Sequence, residues 1–379
     1  MLVHARLPLA GVLVGLLAGA AGLSACSSST GGGAASGTVT VTGTDTACTP
    51  ATTQVPAGTV SFRLQNQGSR VNELYVLRPD GSIAGERENV GPGTSGDLTV
   101  ELAPGSYTLQ CKPGMTGDGI RTAITATGSA TAAASADPRL GQAVTAYRAY
   151  VLGEAKRSLA GAEKLRDAVA AGDLAKAKAL YADSRIGWER VEPVAESFGD
   201  LDPRIDLREA DLEQGQTWTG WHVIEKGLFS ANTTKNLTPV ADRLVADLKE
   251  LVDRVPKAEI TATSMANGAA ELLDEVARTK ITGEEEAFSH TDLVDIQANV
   301  DGARQVVTLL QPVLAAKDAD LSAQLTTRLA DLQKVIDSHR TGTSFPSYTT
   351  ITEAQRRTLS DAVDAASEPL SRLTAAVTS

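Results

Sequence analysis

The sequence predicts a multidomain protein in which an all-β sandwich is followed by an all-α helical bundle. Three observations carry that expectation. Between Thr38 and Gly128, short runs alternate or are β-branched and are separated by turn signals, the pattern of half-buried strands. From Pro138 onward the composition turns to Ala, Leu, Glu, Lys and Arg with apolar residues every three to four positions, the helical period. Finally, 379 residues with 42% hydrophobic and 21% charged side chains exceed one compact core and carry too little charge for a disordered chain.

In chain order, Arg6 precedes an apolar run from Leu7 to Gly22 that is short for a membrane span and reads as a secretory signal. Leu23-Ser24-Ala25-Cys26 resembles a bacterial lipoprotein box. Residues 1–25 are then the signal peptide, Cys26 the lipidated first mature residue, and 26–37 a Ser/Gly-rich flexible tether. The plain alternative is an ordinary signal cut elsewhere, with a spare cysteine. Either way the body of the protein is expected outside the cytoplasm, in an oxidising setting, and the lipid ties it to the membrane.

Residues 38–128 form the expected sandwich of about seven strands, among them 38–42, 60–64, 74–77, 97–102 and 120–124. Pro56-Ala57-Gly58, Pro79-Asp80-Gly81 and Pro104-Gly105 supply turns. Residues 129–137 are small and nearly uncharged and read as a linker, and 138–379 as the helical domain. Helices are expected near 139–171, 174–198, 207–229, 238–254, 262–280, 292–316, 318–340 and 353–376. A formal charge of −11 argues against a nucleic-acid partner, which needs a basic face. Most of that charge lies in the helical half, with 28 basic and 38 acidic residues against 6 and 8 in the sandwich. Cations are the ligands that fit.

The chemistry-bearing residues concentrate near the three tryptophans, Trp188, Trp218 and Trp221. Glu189 and Glu192 in Trp188-Glu189-Arg190-Val191-Glu192-Pro193 are three apart, which puts both carboxylates on one helix face before a proline that ends or kinks it. Asp206 follows a Gly/Asp/Pro-rich connection. His222 and Glu225 in Trp221-His222-Val223-Ile224-Glu225 share the same i, i+3 spacing. Bundle-core metal sites combine carboxylates with such Glu/His pairs on facing helices. Glu284-Glu285-Glu286 precede Phe288-Ser289-His290-Thr291-Asp292. Each element also has an ordinary reading: acidic pairs are usually solvated faces, an HxxE a structural hydrogen bond, a triple Glu a charge run. His290 and His339 have no ligand-like spacing to His222.

Gly220 to Phe229, Trp188 to Glu196, Thr282 to Glu285, Asp292-Leu293 and Gln297 to Val300 together resemble the imelysin-type domain. A lipoprotein that carries this domain behind a small cupredoxin-like domain is similar to the iron-binding components of bacterial iron-uptake systems. The resemblance implies a metal site around the HxxE formed by Glu189, Glu192, Asp206, His222 and Glu225, with Glu284 and Glu285 contributing, although the triple Glu blurs that register. It implies ferric or ferrous iron as cargo. It also implies a membrane permease and a haem peroxidase as partners.

The sandwich is expected to be cupredoxin-like, yet residues 38–128 contain no histidine, so a blue-copper centre with its two histidines is excluded. Cys48, Glu73, Cys111 and Met115 remain. The resemblance matches Cys48, Glu73 and Cys111 to positions for copper or a second iron. The ordinary alternative is a Cys48–Cys111 disulfide, with Glu73 a plain strand acid. The leading functional expectation is a non-enzymatic protein that captures iron and delivers it to a permease. The competing reading is a metal-dependent peptidase or hydrolase, an activity the resemblance also brings. HExxH and Gly-x-Ser-x-Gly are both absent, which leaves no catalytic residue to name.

Overall fold

The computed structural model describes residues 37–128 and 137–378, all within one compact unit. The expected signal peptide, the lipidated Cys26 and the tether lie outside the described residues, as does most of the linker. Among the described residues no helix is long and apolar enough to cross a membrane.

The first domain is a two-sheet sandwich of nine strands: β1 Val39–Gly43, β2 Cys48–Pro50, β3 Gln54–Pro56, β4 Gly58–Asn66, β5 Asn72–Leu77, β6 Ile83–Val90, β7 Ser95–Leu102, β8 Gly105–Cys111 and β9 Ile120–Thr127. One sheet has the order β2-β1-β4-β7 and the other β3-β9-β8-β5-β6. Alternation decides which side chains go inside. Val60, Phe62 and Leu64 of β4 are buried while Ser61 and Arg63 between them face outward, as a period of two requires. Cys48 on one sheet is bonded to Cys111 on the other, which pins the two layers together across the core.

The second domain contains α1 Pro138–Ala170, α2 Leu174–Val191, α3 Leu201–Asp206, α4 Trp221–Glu225, α5 Thr238–Arg254, α6 Ala262–Arg278, α7 Asp292–Lys317, α8 Ala319–Ser338, α9 Glu353–Leu370 and α10 Leu373–Thr378. Local chemistry starts them well. Asp137, Asp173 and Asp318 cap α1, α2 and α8, and Thr261 with Ser264 and Thr352 with Gln355 form reciprocal caps on α6 and α9. The core is one continuous cluster running from Ala143 to Val377.

The helix expected over 353–376 breaks at Ser371 and Arg372 into α9 and α10. Two further helices differ from expectation, and both of those differences build the site. The helix expected over 174–198 ends at Val191, because Pro193 has no N–H to donate, and the chain continues as a 3-10 helix over Glu192–Phe198. The expected helix over 207–229 is mostly absent. Gly215 and Gly220 adopt positive φ, and the Trp218 indole N–H donates to the Leu207 carbonyl at 2.7 Å, closing the segment into a loop. A 3-10 turn over Glu209–Asp211, α4 and a π-helical turn over Lys226–Ser230 are what remain helical in it. At Gly220 (φ 88°) an added Cβ would sit 2.1 Å from the Ile205 carbonyl oxygen. Glycine here lets the start of α4 touch the end of α3.

The two domains meet along α6. Asn267 Nδ2 donates to the Thr99 carbonyl at 2.7 Å and Thr263 Oγ1 to Glu101 Oε1 at 3.0 Å, while Arg78 pairs with Glu259 at 2.6 Å.

Candidate metal centre

Five pieces of chain converge at the core of the helical domain. The α2 helix supplies Arg185, Trp188 and Glu189, and the last residue of α3 is Asp206. His222 and Glu225 come from α4, Glu285 and Glu286 from the loop before α7, and Asp292, Asp295 and Asn299 from α7. The short α4 is held by Trp221, which is fully buried, lies 6.4 Å ring to ring from Trp188 and donates its indole N–H to Ser184 Oγ at 3.0 Å. Tertiary packing rather than helix propensity orients the HxxE pair.

His222 is the hub. Its Nδ1 lies 3.0 Å from Glu225 Oε2. Its Nε2 lies 3.4 Å from Asp206 Oδ1 and 3.9 Å from Glu285 Oε1, buried and without a hydrogen-bond partner. Two sets of potential ligand atoms therefore share the imidazole: Asp206, His222 and Glu285 on the Nε2 side, and His222, Glu225 and Glu286 on the Nδ1 side, each set within 4.8 Å.

The carboxylates are held from behind, as metal ligands usually are. Trp188 Nε1–H donates to Asp206 Oδ2 at 2.7 Å. The Phe288 and Ser289 N–H groups donate to Glu225 Oε1 at 2.8 and 2.7 Å. A cavity of about 250 Å³ reaches His222 past Glu225, Glu285 and Phe288, with Glu284 and Arg208 in its wall.

Charge is strongly unbalanced. The fully buried Arg185 guanidinium contacts Glu189, Asp206, Glu285, Glu286 and Asp295, and Lys280 contacts Glu192 at 2.6 Å, Glu189 at 3.5 Å and Glu285 at 3.8 Å. Two permanent cations thus face seven carboxylates once Glu225 is included. Burial and the Arg185 charge oppose protonation of His222, but the Asp206 and Glu225 carboxylates outweigh them and push its pKa up to about 10. Burial, reinforced by neighbouring acids and only partly offset by Arg185, pushes Glu286 and Asp295 well above the carboxylate range. Burial works against ionised Asp206 as well, yet Arg185 and His222 hold it below its usual value. In the ion-free state the cluster retains protons that a metal cation would displace.

Of the residues read from the sequence, Asp206, His222, Glu225 and Glu285 surround the imidazole. Glu189 and Glu192 belong to the same buried network but are occupied: Asn299 Nδ2 donates to Glu189 Oε2 at 3.0 Å and to Glu192 Oε2 at 2.6 Å, and Lys280 lies between them. Glu284 is not in the cluster; it is exposed and pairs with Arg208 at 3.2 Å. Glu286 stands in the triple Glu of the sequence without being singled out as a ligand, and Arg185, Lys280 and Asp295 are not singled out there at all. The i, i+4 spacing of Arg185 with Glu189 and of Asp295 with Asn299 was the available signal.

The alternative set of Cys48, Glu73 and Cys111 is not assembled. Both thiols are consumed in the disulfide. Cys111 pairs in register with Leu74 and shares its core-facing side, so the adjacent Glu73 stands on the opposite face of the sheet, where Tyr75 O–H donates to it at 2.5 Å.

A β-sandwich joined to a helical bundle whose core holds a histidine among carboxylates defines a two-domain protein with a candidate metal centre. The chain belongs to the imelysin family, whose model matches residues 143–373, and a cupredoxin-like domain model matches 15–126. It is 40% identical over 345 residues to proteins named "Iron uptake system component EfeO" from Escherichia coli strain K12, E. coli O1:K1 and Shigella flexneri, covering 88% of this chain and 90% of theirs. The crystal structure of a putative iron-regulated protein A precursor from Parabacteroides distasonis superposes with a TM-score of 0.51 at 16% identity, over 65% of this chain and 97% of that one. At that identity the likeness is one of fold alone.

Proposed function

We propose that the protein is the extracytoplasmic iron-binding component of an iron-uptake system, tethered through a lipid on Cys26, which captures iron at His222 and passes it to a membrane permease. The relatives named as iron-uptake components support the reading. One observation carries it: the buried His222 Nε2 has no hydrogen-bond partner and faces Asp206 and Glu285. An imidazole nitrogen with two carboxylate oxygens suits iron, which accepts both donor types. Asp206, His222 and Glu285 are the proposed ligands, with Glu225 and Glu286 completing the set on the far side of the ring. Glu189 and Glu192 orient the network through Lys280 and Asn299. The family resemblance adds a haem peroxidase of the same system as a partner.

Calorimetric titration of the purified protein with ferrous iron and with ferric citrate tests the reading, using wild type beside His222→Ala, Glu225→Ala. Iron binding that is lost in the double variant is the expected result. Equal binding by both proteins would overturn the assignment. Peptide hydrolysis by the iron-loaded wild type, lost in the double variant, would favour the hydrolase reading instead.

A further inference from the structure

A second acidic chamber lies on the seam between the domains. It encloses about 250 Å³, and ten of its seventeen lining residues are Asp or Glu, against one basic residue, Arg208. Asp206 and Glu285 of the helical centre are among the lining residues. Arg208 is already engaged by Asp211, Glu284 and Glu285. Glu192 is paired with Lys280, and the remaining acids of the chamber, among them Glu86, Glu88, Glu196 and Glu275, form no ion pair among the described residues.

The sandwich contributes through β6. An added Cβ at Gly85 would meet Val100 Cγ1 of the core at 2.5 Å, so Gly85 faces inward and Glu86 and Glu88 project from the outer face, toward the helical domain. Glu86 is only 4% exposed, and its Oε2 has no hydrogen-bond partner. An orphaned carboxylate oxygen at that depth costs free energy unless something positive meets it. Glu88 and Glu196 each bring a carboxylate oxygen within 4.8 Å of a Glu86 carboxylate oxygen and of each other. Glu196 belongs to the 3-10 helix that Pro193 forces after α2, so the helical domain completes the set.

We propose that Glu86, Glu88 and Glu196 form a cation site shared by the two domains, selective for a hard, oxygen-seeking metal ion and independent of His222. With no nitrogen or sulfur donor, the trio disfavours soft metals. Because two ligands come from β6 and one from the helical domain, a bound ion ties the sandwich to the bundle within the chamber that Asp206 and Glu285 also line. The sandwich is then a working wall of the cation pathway.

Terbium(III), a hard cation with its own luminescence, is the probe, titrated into the full protein. The variants are Glu86→Gln with Glu88→Gln, Glu196→Gln alone, and His222→Ala with Glu225→Ala. Wild type is expected to bind one terbium equivalent more than the β6 double variant, and Glu196→Gln to weaken that equivalent at least tenfold. The His222 variant keeps it, which separates this site from the iron site. Competition by calcium or by ferric citrate then tells which hard cation occupies it. Hydrogen exchange across α6 slows on terbium binding in wild type and not in Glu196→Gln, a variant in the other domain that guards against misfolding of the sandwich. Unchanged terbium stoichiometry in the β6 variant would overturn the site, and unchanged affinity in Glu196→Gln would overturn its sharing between domains.

Discussion

Arg185 Nε lies 2.7 Å from Glu286 Oε1, and both side chains are fully buried. The same guanidinium reaches Glu189, Asp206, Glu285 and Asp295, so one residue acts as the internal counter-ion for carboxylates arriving from four separate stretches of chain. Arginine suits this role, being permanently charged with five donors in a planar fork.

Replacement of this counter-ion is the first prediction. Arg185→Met leaves five buried carboxylates without it, and breaking a buried pair from one side costs about 3–5 kcal/mol. Urea melts of the metal-free variant should show a loss of that order, and saturating ferrous iron should recover part of it, because an ion at His222 supplies positive charge to the same carboxylates. Unchanged metal-free stability would refute the counter-ion role.

A second prediction concerns pH. His222 is protonated at neutral pH because its folded pKa of about 10 exceeds the ordinary 6.5, and a metal must replace that proton. Iron affinity should therefore rise as pH increases from 6 to 8. The slope should fall by about one proton per ion in His222→Ala. The metal-free protein behaves oppositely: a raised pKa contributes stability that is complete below about 6.5 and lost as pH climbs through about 10. Thermal melts between pH 7 and 10 should show that decline in wild type and a shallower one in His222→Ala.

Reduction of the Cys48–Cys111 bond is the third. It closes a loop of 63 residues, which in the chain-entropy account contributes about 4 kcal/mol. Cys48→Ser, Cys111→Ser should lose stability of that order while iron affinity stays within twofold, since neither cysteine is near the helical centre. A large fall in iron affinity with an intact fold would show that the β domain holds the metal after all.

What the sequence disclosed was governed by distance along the chain. Glu189 with Glu192 and His222 with Glu225 were readable because a helix places residues three apart on one face. Arg185, Lys280 and Asp295 join the site through packing of distant elements, and the i, i+4 spacings that Arg185 and Asp295 make are too common on helices to announce it. Glu73 was grouped with Cys48 and Cys111 by resemblance, whereas strand alternation sends it to the opposite face of the sheet. The segment 207–229 reads as helix from its Glu, Leu and Ala content, but Gly215 and Gly220 outweigh that propensity by adopting positive φ. The error falls on the loop that brings Asp206 and His222 together across sixteen positions of sequence.

That loop yields the last prediction. At Gly220 the backbone has φ 88°, a region L-residues rarely occupy, and an added methyl would lie 2.1 Å from the Ile205 carbonyl oxygen and 3.0 Å from that of Arg204. The blocking atoms are backbone, so the clash cannot be relieved by a rotamer change. Gly220→Ala must instead push the start of α4 away from the end of α3, and with it His222 from Asp206. Because α4 has only five residues and depends on packing of Trp221 for its position, it can shift without unfolding the bundle. The expected outcome is a tenfold or greater loss of iron affinity with a stability loss of about 1–3 kcal/mol. Gly215→Ala is the control, since its φ is also positive but no atom lies within 4 Å of an added Cβ. It should lose some stability and keep iron affinity. Equal iron affinity in Gly220→Ala and wild type would show that the Asp206 to His222 approach is not what binds the metal.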